Sequence, residues 1–171
     1  MKRILGWPEA AWVGLALAAR LAFALRLGDG NYQIDELGFF TASWHLVEHG
    51  FSPSAPGASI SPPVPCSFFA FFYWIFGPHK LAARLGQAFV SAGMAWMMGR
   101  MTARLTGSEK AGRLALILSA VYPFFIYYSG LLMSETLYLA LIVLGFWQLK
   151  DRPATAGLSL ALAGLCRTEA V

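Results

Sequence analysis

The sequence has few charged residues. Lysine, arginine, aspartate and glutamate together make up 13% of its 171 residues, whereas about a quarter of a typical soluble domain is charged. Hydrophobic residues make up 57%, and the mean hydropathy is +0.56. Apolar runs long enough to cross a bilayer recur along the chain. The composition therefore predicts an all-α fold, a polytopic bundle of transmembrane helices, and argues against a soluble enzyme.

Cysteine is also scarce. The two cysteines, Cys66 and Cys166, lie in different sequence contexts, so we expect neither a disulfide framework nor a CxxC metal site. The formal net charge is +4, but the basic residues stand at the ends of apolar segments. That placement indicates membrane orientation and not a nucleic-acid partner.

We expect about five spans, joined by short inner turns and one long outer loop. Basic residues open the chain and crowd the turn after the second span, which predicts a cytoplasmic N-terminus in the plasma (inner) membrane. The predicted spans are residues 7–27, 81–101, 114–128, 133–149 and 154–171, and the outer loop is residues 28–79. Because the last span stops directly after charged residues, we expect the chain to be a fragment.

The outer loop contains an acidic pair, Asp35 and Glu36, that opens an amphipathic run ending at Gly50. Helical spacing predicts an interfacial helix with one apolar and one polar face. The apolar face would carry Leu37, Phe40, Trp44 and Val47, and the polar face Glu36, Ser43 and Glu48. Asp35 would cap this helix or serve chemistry; the pattern leaves both open. After an irregular Pro- and Gly-rich stretch, residues 66–76 predict a short aromatic helix that is interfacial or re-entrant.

Unusual polar groups gather on the predicted outer side. Arg20 lies deep in the first span, where an ionisable group faces protein, a polar cavity or, by snorkelling, the interface. Arg84 suits a phosphate, since its guanidinium can bind bidentately. Glu135 would cap the fourth span or line a site. The remaining candidates on this side are His45, His49, His79, Tyr122, Tyr127, Tyr128, Arg167 and Glu169.

The order of these motifs resembles a known family. The acidic pair is followed by a proline-rich segment, an aromatic helix, and then residues 77–78, 81–88, 122–129, 134–138 and 164–170. This series is similar to the N-terminal part of a GT-C glycosyltransferase of the protein O-mannosyltransferase and aminoarabinose-transferase type, glycosyltransferase family 39. The resemblance spans essentially the whole chain.

The resemblance implies transfer of a sugar from a polyprenyl-phosphate donor to a glycan, lipid or protein acceptor at the outer membrane face. It implies that Asp35 is the general base. Glu36 and Glu135 would orient the acceptor or hold a divalent ion, which only some relatives use; Arg84 or Arg20 would stabilise the leaving phosphate. His45, Tyr128, Arg167 and Glu169 complete the expected substrate site.

Two departures from the family pattern matter. Arg167-Thr168-Glu169 stands where relatives have Arg-Pro-Glu, and relatives are longer, commonly with a C-terminal outer domain. We therefore expect an incomplete active site in this chain. The alternative is a non-catalytic membrane subunit or a lipid-carrier transporter, in which the same charges would line a headgroup path.

Overall fold

A computed structural model describes residues 8–50 and 62–167. Within these ranges the chain forms eight α-helices and no β-strand, which confirms the all-α prediction. The helices are α1 (Glu9–Leu27), α2 (Ile34–His49), α3 (Pro63–Phe76), α4 (Lys80–Thr106), α5 (Glu109–Val121), α6 (Pro123–Gly130), α7 (Glu135–Gln148) and α8 (Pro153–Gly164).

Local sequence signals set most of these boundaries. Proline, which tolerates the first helical position because it has no N–H to satisfy there, begins α3, α6 and α8. Ser108 caps α5 by accepting a hydrogen bond from the Ala111 N–H at 3.3 Å. Gly107 ends α4 with φ of 65°, a left-handed conformation that a residue with a Cβ adopts only at a cost.

The longest helix, α4, lies at the centre of the bundle. It packs against α1, α3, α5, α6 and α7, whereas α2 packs on α3 and α8 packs on α7. Small residues let α4 and α5 approach closely. A Cβ added to Gly112 would lie 2.6 Å from the Ala103 Cβ, and one added to Gly99 would lie 2.9 Å from the Leu116 Cβ.

Ion pairs join the helix ends on one side of the bundle. Arg100 lies 3.7 Å from both Glu9 and Glu109, and Arg104 lies 3.5 Å from Asp151. We call this side the basic end, because it carries Arg100, Arg104, Lys110, Arg113, Lys150 and Arg152. The opposite side, where residues 28–33, the start of α4 and residues 131–134 meet, is called the loop end.

Arg20 is fully buried in the middle of the bundle and forms hydrogen bonds with the backbone at the break between α5 and α6. Pro123 has no N–H, so the Ser119 carbonyl loses its usual helical partner. The Arg20 guanidinium donates to the carbonyls of Ser119 and Ala120, both at 3.0 Å, and to the Ser91 hydroxyl at 2.7 Å. Arg20 therefore has a structural role here, not the substrate contact that the sequence suggested.

The segment expected to form the third span, residues 114–128, is bent at this break. The axes of α5 and α6 differ by 49°. The following turn also differs: residues 129 and 130 belong to α6, and the chain turns at residues 131–134. The predicted spans 114–128 and 133–149 place this turn at residues 129–132, two residues too early, since Ser129 stays in the helix and donates its hydroxyl to the Ile126 carbonyl at 2.8 Å.

The predicted polar face of α2 was also wrong. Glu36 and Ser43 are fully buried, whereas Leu37 is 54% exposed. Two tertiary contacts explain the difference: Glu36 pairs with an arginine of α4, and Phe40 packs against the cluster formed by α3 and α4. Periodicity alone placed every charged residue on the solvent side.

Among the described helices, α1 is long and apolar enough to cross a bilayer. The bent pair α5 and α6 passes the same test together, and α3, α7 and α8 are shorter apolar helices. A core helix of a soluble protein or a signal sequence also meets this criterion. The five-span topology therefore stays a prediction.

Replacing Arg20 with Met should destabilise the bundle, because two buried carbonyls would lose their donors. We expect the free energy of unfolding to fall by about 3 kcal/mol, as for loss of buried hydrogen bonds to a charged group. Arg26→Met, at an exposed position of the same helix, is the matched control and should change stability little. Denaturant titration in detergent micelles measures both, and equal effects of the two variants would contradict the assigned role of Arg20.

Candidate functional site

The linker between α1 and α2, residues 28–33, is fastened to the start of α4. The Asp29 carboxylate accepts a hydrogen bond from the Leu81 N–H at 2.8 Å, which satisfies one free N–H of α4. Lys80 donates to the Asn31 side chain at 2.7 Å. The Arg84 guanidinium donates to the carbonyl of Gly28 and, at 2.8 Å, to that of Gly30. These contacts fix the linker as a rigid part of the loop end.

Glu36 and Arg84 form a fully buried ion pair at this end. The Arg84 Nη2 lies 2.7 Å from the Glu36 Oε1, and both side chains are 0% exposed. The same oxygen accepts the Leu132 N–H at 3.0 Å. The pair thus joins α2, α4 and the α6–α7 turn, three segments separated by about fifty residues each in sequence.

The second oxygen of Glu36 holds the start of α2. It accepts the N–H groups of Tyr32 at 2.6 Å and Gln33 at 3.1 Å. A carboxylate offers about four acceptor positions, and four donors fill them here. Glu36 is therefore occupied by the protein itself, which assigns it a structural role in place of the substrate or metal contact expected from the sequence.

Protonation of Glu36 follows from these contacts. Burial by itself raises the pKa of a carboxyl group. Here the backbone hydrogen bonds from Leu132 and Tyr32, with the hydrogen bond and charge of Arg84, outweigh burial and hold the pKa of Glu36 below its usual value. Glu36 is therefore ionised at neutral pH, and the pair with Arg84 is a true salt bridge.

Asp35, the residue expected to be the general base, lies in the first turn of α2 and is exposed. The expectation that Asp35 caps α2 was wrong, since Gln33 is the capping position and Glu36 supplies the carboxylate. Arg84, expected to bind the leaving phosphate, is engaged by Glu36 and two backbone carbonyls. Asp35 is thus presented outward from a rigid support.

Three buried polar atoms beside the pair make no hydrogen bond to the described residues: the Arg84 Nε, the Tyr73 Oη and the Gln87 Oε1. Tyr73, on α3, is 1% exposed. Burial raises the pKa of its phenol well above the usual value, with a smaller opposing effect of Arg84. Tyr73 is therefore a protonated hydroxyl, a buried hydrogen-bond donor in the same part of the molecule as Arg84.

The other expected site residues in the described part of the chain are His45 on α2, Tyr128 on α6, Glu135 at the start of α7 and Arg167 after α8. Glu135 begins α7, three residues after Leu132, and its buried Oε2 has no hydrogen-bond partner in the described part of the chain. Arg167 lies over the Tyr138 ring at 5.6 Å, which puts the end of α8 beside the start of α7. Tyr128 packs on Phe124 with ring centroids 4.3 Å apart.

His45 stands apart from this group. It lies near the end of α2, where its ring stacks on His49 at 4.5 Å. Glu169 lies outside the described residues. Over residues 8–50 and 62–167, no three His, Cys, Asp or Glu side chains come together in a way that could hold a metal ion. The described residues therefore do not by themselves form the divalent-ion site that some members of the resembling family use.

An apolar groove opens next to the linker. It has a volume of about 620 Å³ and runs between the aromatic face of α3 and the first half of α4. Its walls include Phe68, Phe72, Phe76, Leu85 and Phe89, and its polar rim is formed by Asp29 and His79. Volume and lining are typical of a pocket for a largely apolar ligand.

Sequence reasoning missed several members of this site. Asp29 and Tyr73 were not singled out, although an acidic residue just after a helix and a lone tyrosine in an aromatic run were visible signals. The carbonyls of Gly28 and Gly30 and the N–H of Leu132 carry no side-chain signal, so only the fold reveals them.

Comparison of the chain with protein-family models, with curated proteins and with solved structures finds no match. The family resemblance thus remains a prediction from motif order.

Glu36→Gln should strongly destabilise the protein, because it leaves the Arg84 charge buried and unpaired. We expect a loss of about 3 kcal/mol in the free energy of unfolding. The pKa of Glu36 is lower in the folded state than its usual value of 4.5. The ionised Glu36 therefore adds its full stabilisation above pH 4.5, and that stabilisation is lost as the pH falls through the folded-state pKa.

Denaturant titrations at intervals of about one pH unit between pH 3 and 7 test this expectation, since they give the free energy of unfolding as a function of pH. Glu48→Gln, at an exposed glutamate of the same helix, is the control and should keep the wild-type pH dependence. If the free energy of unfolding of Glu36→Gln still falls with decreasing pH as in wild type, the Glu36–Arg84 pair does not cause the acid-dependent loss of stability.

Proposed function

We propose that this chain is the N-terminal membrane part of a GT-C-type glycosyltransferase, with the sugar-transfer site at the loop end. The substrate would be a polyprenyl-phosphate-linked sugar, and the acceptor a hydroxyl of a glycan, lipid or protein. The loop end would face the outer or periplasmic side of the plasma membrane, with the N-terminus in the cytoplasm.

One observation carries this proposal. The acidic pair of the first loop, the arginine of the second predicted span and the turn before Glu135 meet at one carboxylate, the Oε1 of Glu36. These are three separate elements of the motif series, and helix packing alone does not require them to converge. Their convergence supports a common site.

Asp35 is the general base in this proposal. Its carboxylate would accept the proton of the acceptor hydroxyl as that oxygen bonds to the anomeric carbon, while the bond from that carbon to the phosphate oxygen breaks. The polyprenyl phosphate leaves as an anion and needs cations. Because Arg84 is engaged by the protein, exposed Arg26 in the last turn of α1 and Arg167 beside α7 are the cations proposed for this task.

The remaining groups of the loop end fit supporting roles. Glu36 and Arg84 would position Asp35 by fixing the first turn of α2. The half-buried Glu135 would orient the acceptor. The groove beside α3 is large and apolar enough for part of a prenyl chain, and Asp29 at its rim belongs to the linker that Arg84 holds.

A second candidate is a non-catalytic membrane subunit or lipid-carrier transporter. The exposure of Asp35 favours it, since an exposed carboxylate lacks the dry surroundings that usually tune a catalytic base. In that case the groove and the loop-end charges would bind the carrier without sugar transfer.

Membrane placement is tested by labelling single cysteines in a Cys66→Ala, Cys166→Ala background. Asn31→Cys, at the loop end, should react with an impermeant maleimide added outside intact cells. Lys110→Cys, at the basic end, should react only after the membrane is permeabilised. Equal labelling of both positions in intact cells, or release of the chain by alkaline carbonate, would contradict the proposed topology.

Asp35→Asn should abolish sugar transfer while preserving the fold and carrier binding. General-base catalysis typically contributes about 100-fold or more, so turnover should fall by at least that factor. The measurement is transfer of labelled sugar from a polyprenyl-phosphate donor, in membranes that contain the chain together with the C-terminal region that this proposal requires to complete the site. Glu48→Gln is the matched control, because Glu48 is an exposed carboxylate of the same helix that lies outside the groove.

The two candidate functions predict different results. For the enzyme, Asp35→Asn loses turnover at unchanged carrier affinity, and Glu48→Gln stays active. For the non-catalytic protein, wild type transfers no sugar and Asp35→Asn changes only the binding or movement of the carrier.

A further inference from the structure

The basic end carries a cavity of its own, far from the loop-end site. It has a volume of about 580 Å³ and lies between the last turns of α4 and α7. Its apolar wall consists of Met101, Leu105, Phe146 and Trp147, and its polar members are Arg104, Lys150 and Asp151. Leu105 is 78% exposed and Phe146 55% exposed, so the apolar wall continues onto the surface.

The charges in this cavity do not cancel. Arg104 lies 3.5 Å from Asp151 and stacks over the Trp147 ring at 5.5 Å. Lys150 is exposed, and within the part of the chain that the structure describes it makes no hydrogen bond or ion pair. Two cations against one carboxylate leave one positive charge beside an apolar wall.

One wall residue of the cavity also carries an unpartnered hydrogen-bond donor. The Trp147 Nε1 is buried and has no hydrogen-bond partner among the described residues. Cations at the ends of α4 and α7 are also expected from the helix dipole, which favours positive charge at a C-terminus. The dipole, however, explains neither the cavity nor the unpartnered indole N–H.

We propose that this cavity binds the headgroup of an anionic phospholipid of the inner leaflet. Its phosphate would lie between Lys150 and Arg104, and an acyl chain would run along Leu105 and Phe146. Basic pockets between helices on the cytoplasmic side are suited to such headgroups, and that leaflet is rich in anionic lipid. The proposal rests on the membrane placement given above but is independent of sugar transfer.

The groove at the loop end provides an internal comparison. Its rim pairs one acid with one histidine, Asp29 and His79, at 3.5 Å. That rim offers no excess of lysine or arginine, so the groove itself should not prefer phosphatidylglycerol over phosphatidylcholine.

Native mass spectrometry of the detergent-purified chain tests the proposal. The probes are phosphatidylglycerol and phosphatidylcholine with the same acyl chains, supplied in equal amounts. Wild type should retain phosphatidylglycerol preferentially. Lys150→Gln should reduce that preference about fivefold, the value of one lysine near an anionic headgroup. Lys110→Gln, which removes the same charge from an exposed position of the basic end outside the cavity, should leave it unchanged.

Two results would overturn the inference. Equal retention of the two lipids by wild type would show that no anionic-lipid site exists. Equal losses in Lys150→Gln and Lys110→Gln would show that surface charge, and not the cavity, attracts the lipid. Release of the wild-type chain from membranes by alkaline carbonate would instead refute the membrane placement, and loss of sugar transfer alone would leave this inference standing.

Discussion

The buried salt bridge between Glu36 and Arg84 is the interaction on which the loop end depends. Two charges removed from water are unfavourable unless every donor and acceptor finds a partner. Glu36 meets that condition with four donors, from the side chain of Arg84 and the backbone of Tyr32, Gln33 and Leu132. One carboxylate therefore fixes the linker, α2, α4 and the α6–α7 turn in a single arrangement.

The same pair separates the two members of the acidic motif. Adjacent residues at the start of a helix point about 100° apart, so one can be buried while the other is exposed. Glu36 is buried and serves the fold, and Asp35 is exposed to solvent. The start of the helix is therefore held by Glu36, and the Asp35 carboxylate stays at the surface. In the middle of the bundle, Arg20 has a similar structural role, because it donates to the carbonyls left without helical partners at the break before Pro123.

The two ends of the bundle suit different ligands. At the loop end, the charge of Arg84 is neutralised by Glu36 and two backbone carbonyls, and an aromatic groove lies beside the linker. At the basic end, surplus positive charge borders an apolar wall. In a membrane, this asymmetry would orient the protein and place a carrier-lipid site on one side and an anionic headgroup site on the other.

The sequence by itself determined the helices. Apolar runs, and Gly50 after the first loop helix, predicted α1, α4, α7 and the two loop helices, because these signals act locally. The sequence also placed Glu36, Arg84 and Glu135 at the same end of the bundle, since short turns force neighbouring helices to run antiparallel. Only the tertiary structure decided which member of the acidic pair is buried, that Arg84 and Arg20 serve the fold, and that α5 bends away from α6. Those outcomes depend on backbone carbonyls and N–H groups from distant segments, such as Gly28 and Leu132, which no side-chain pattern reveals.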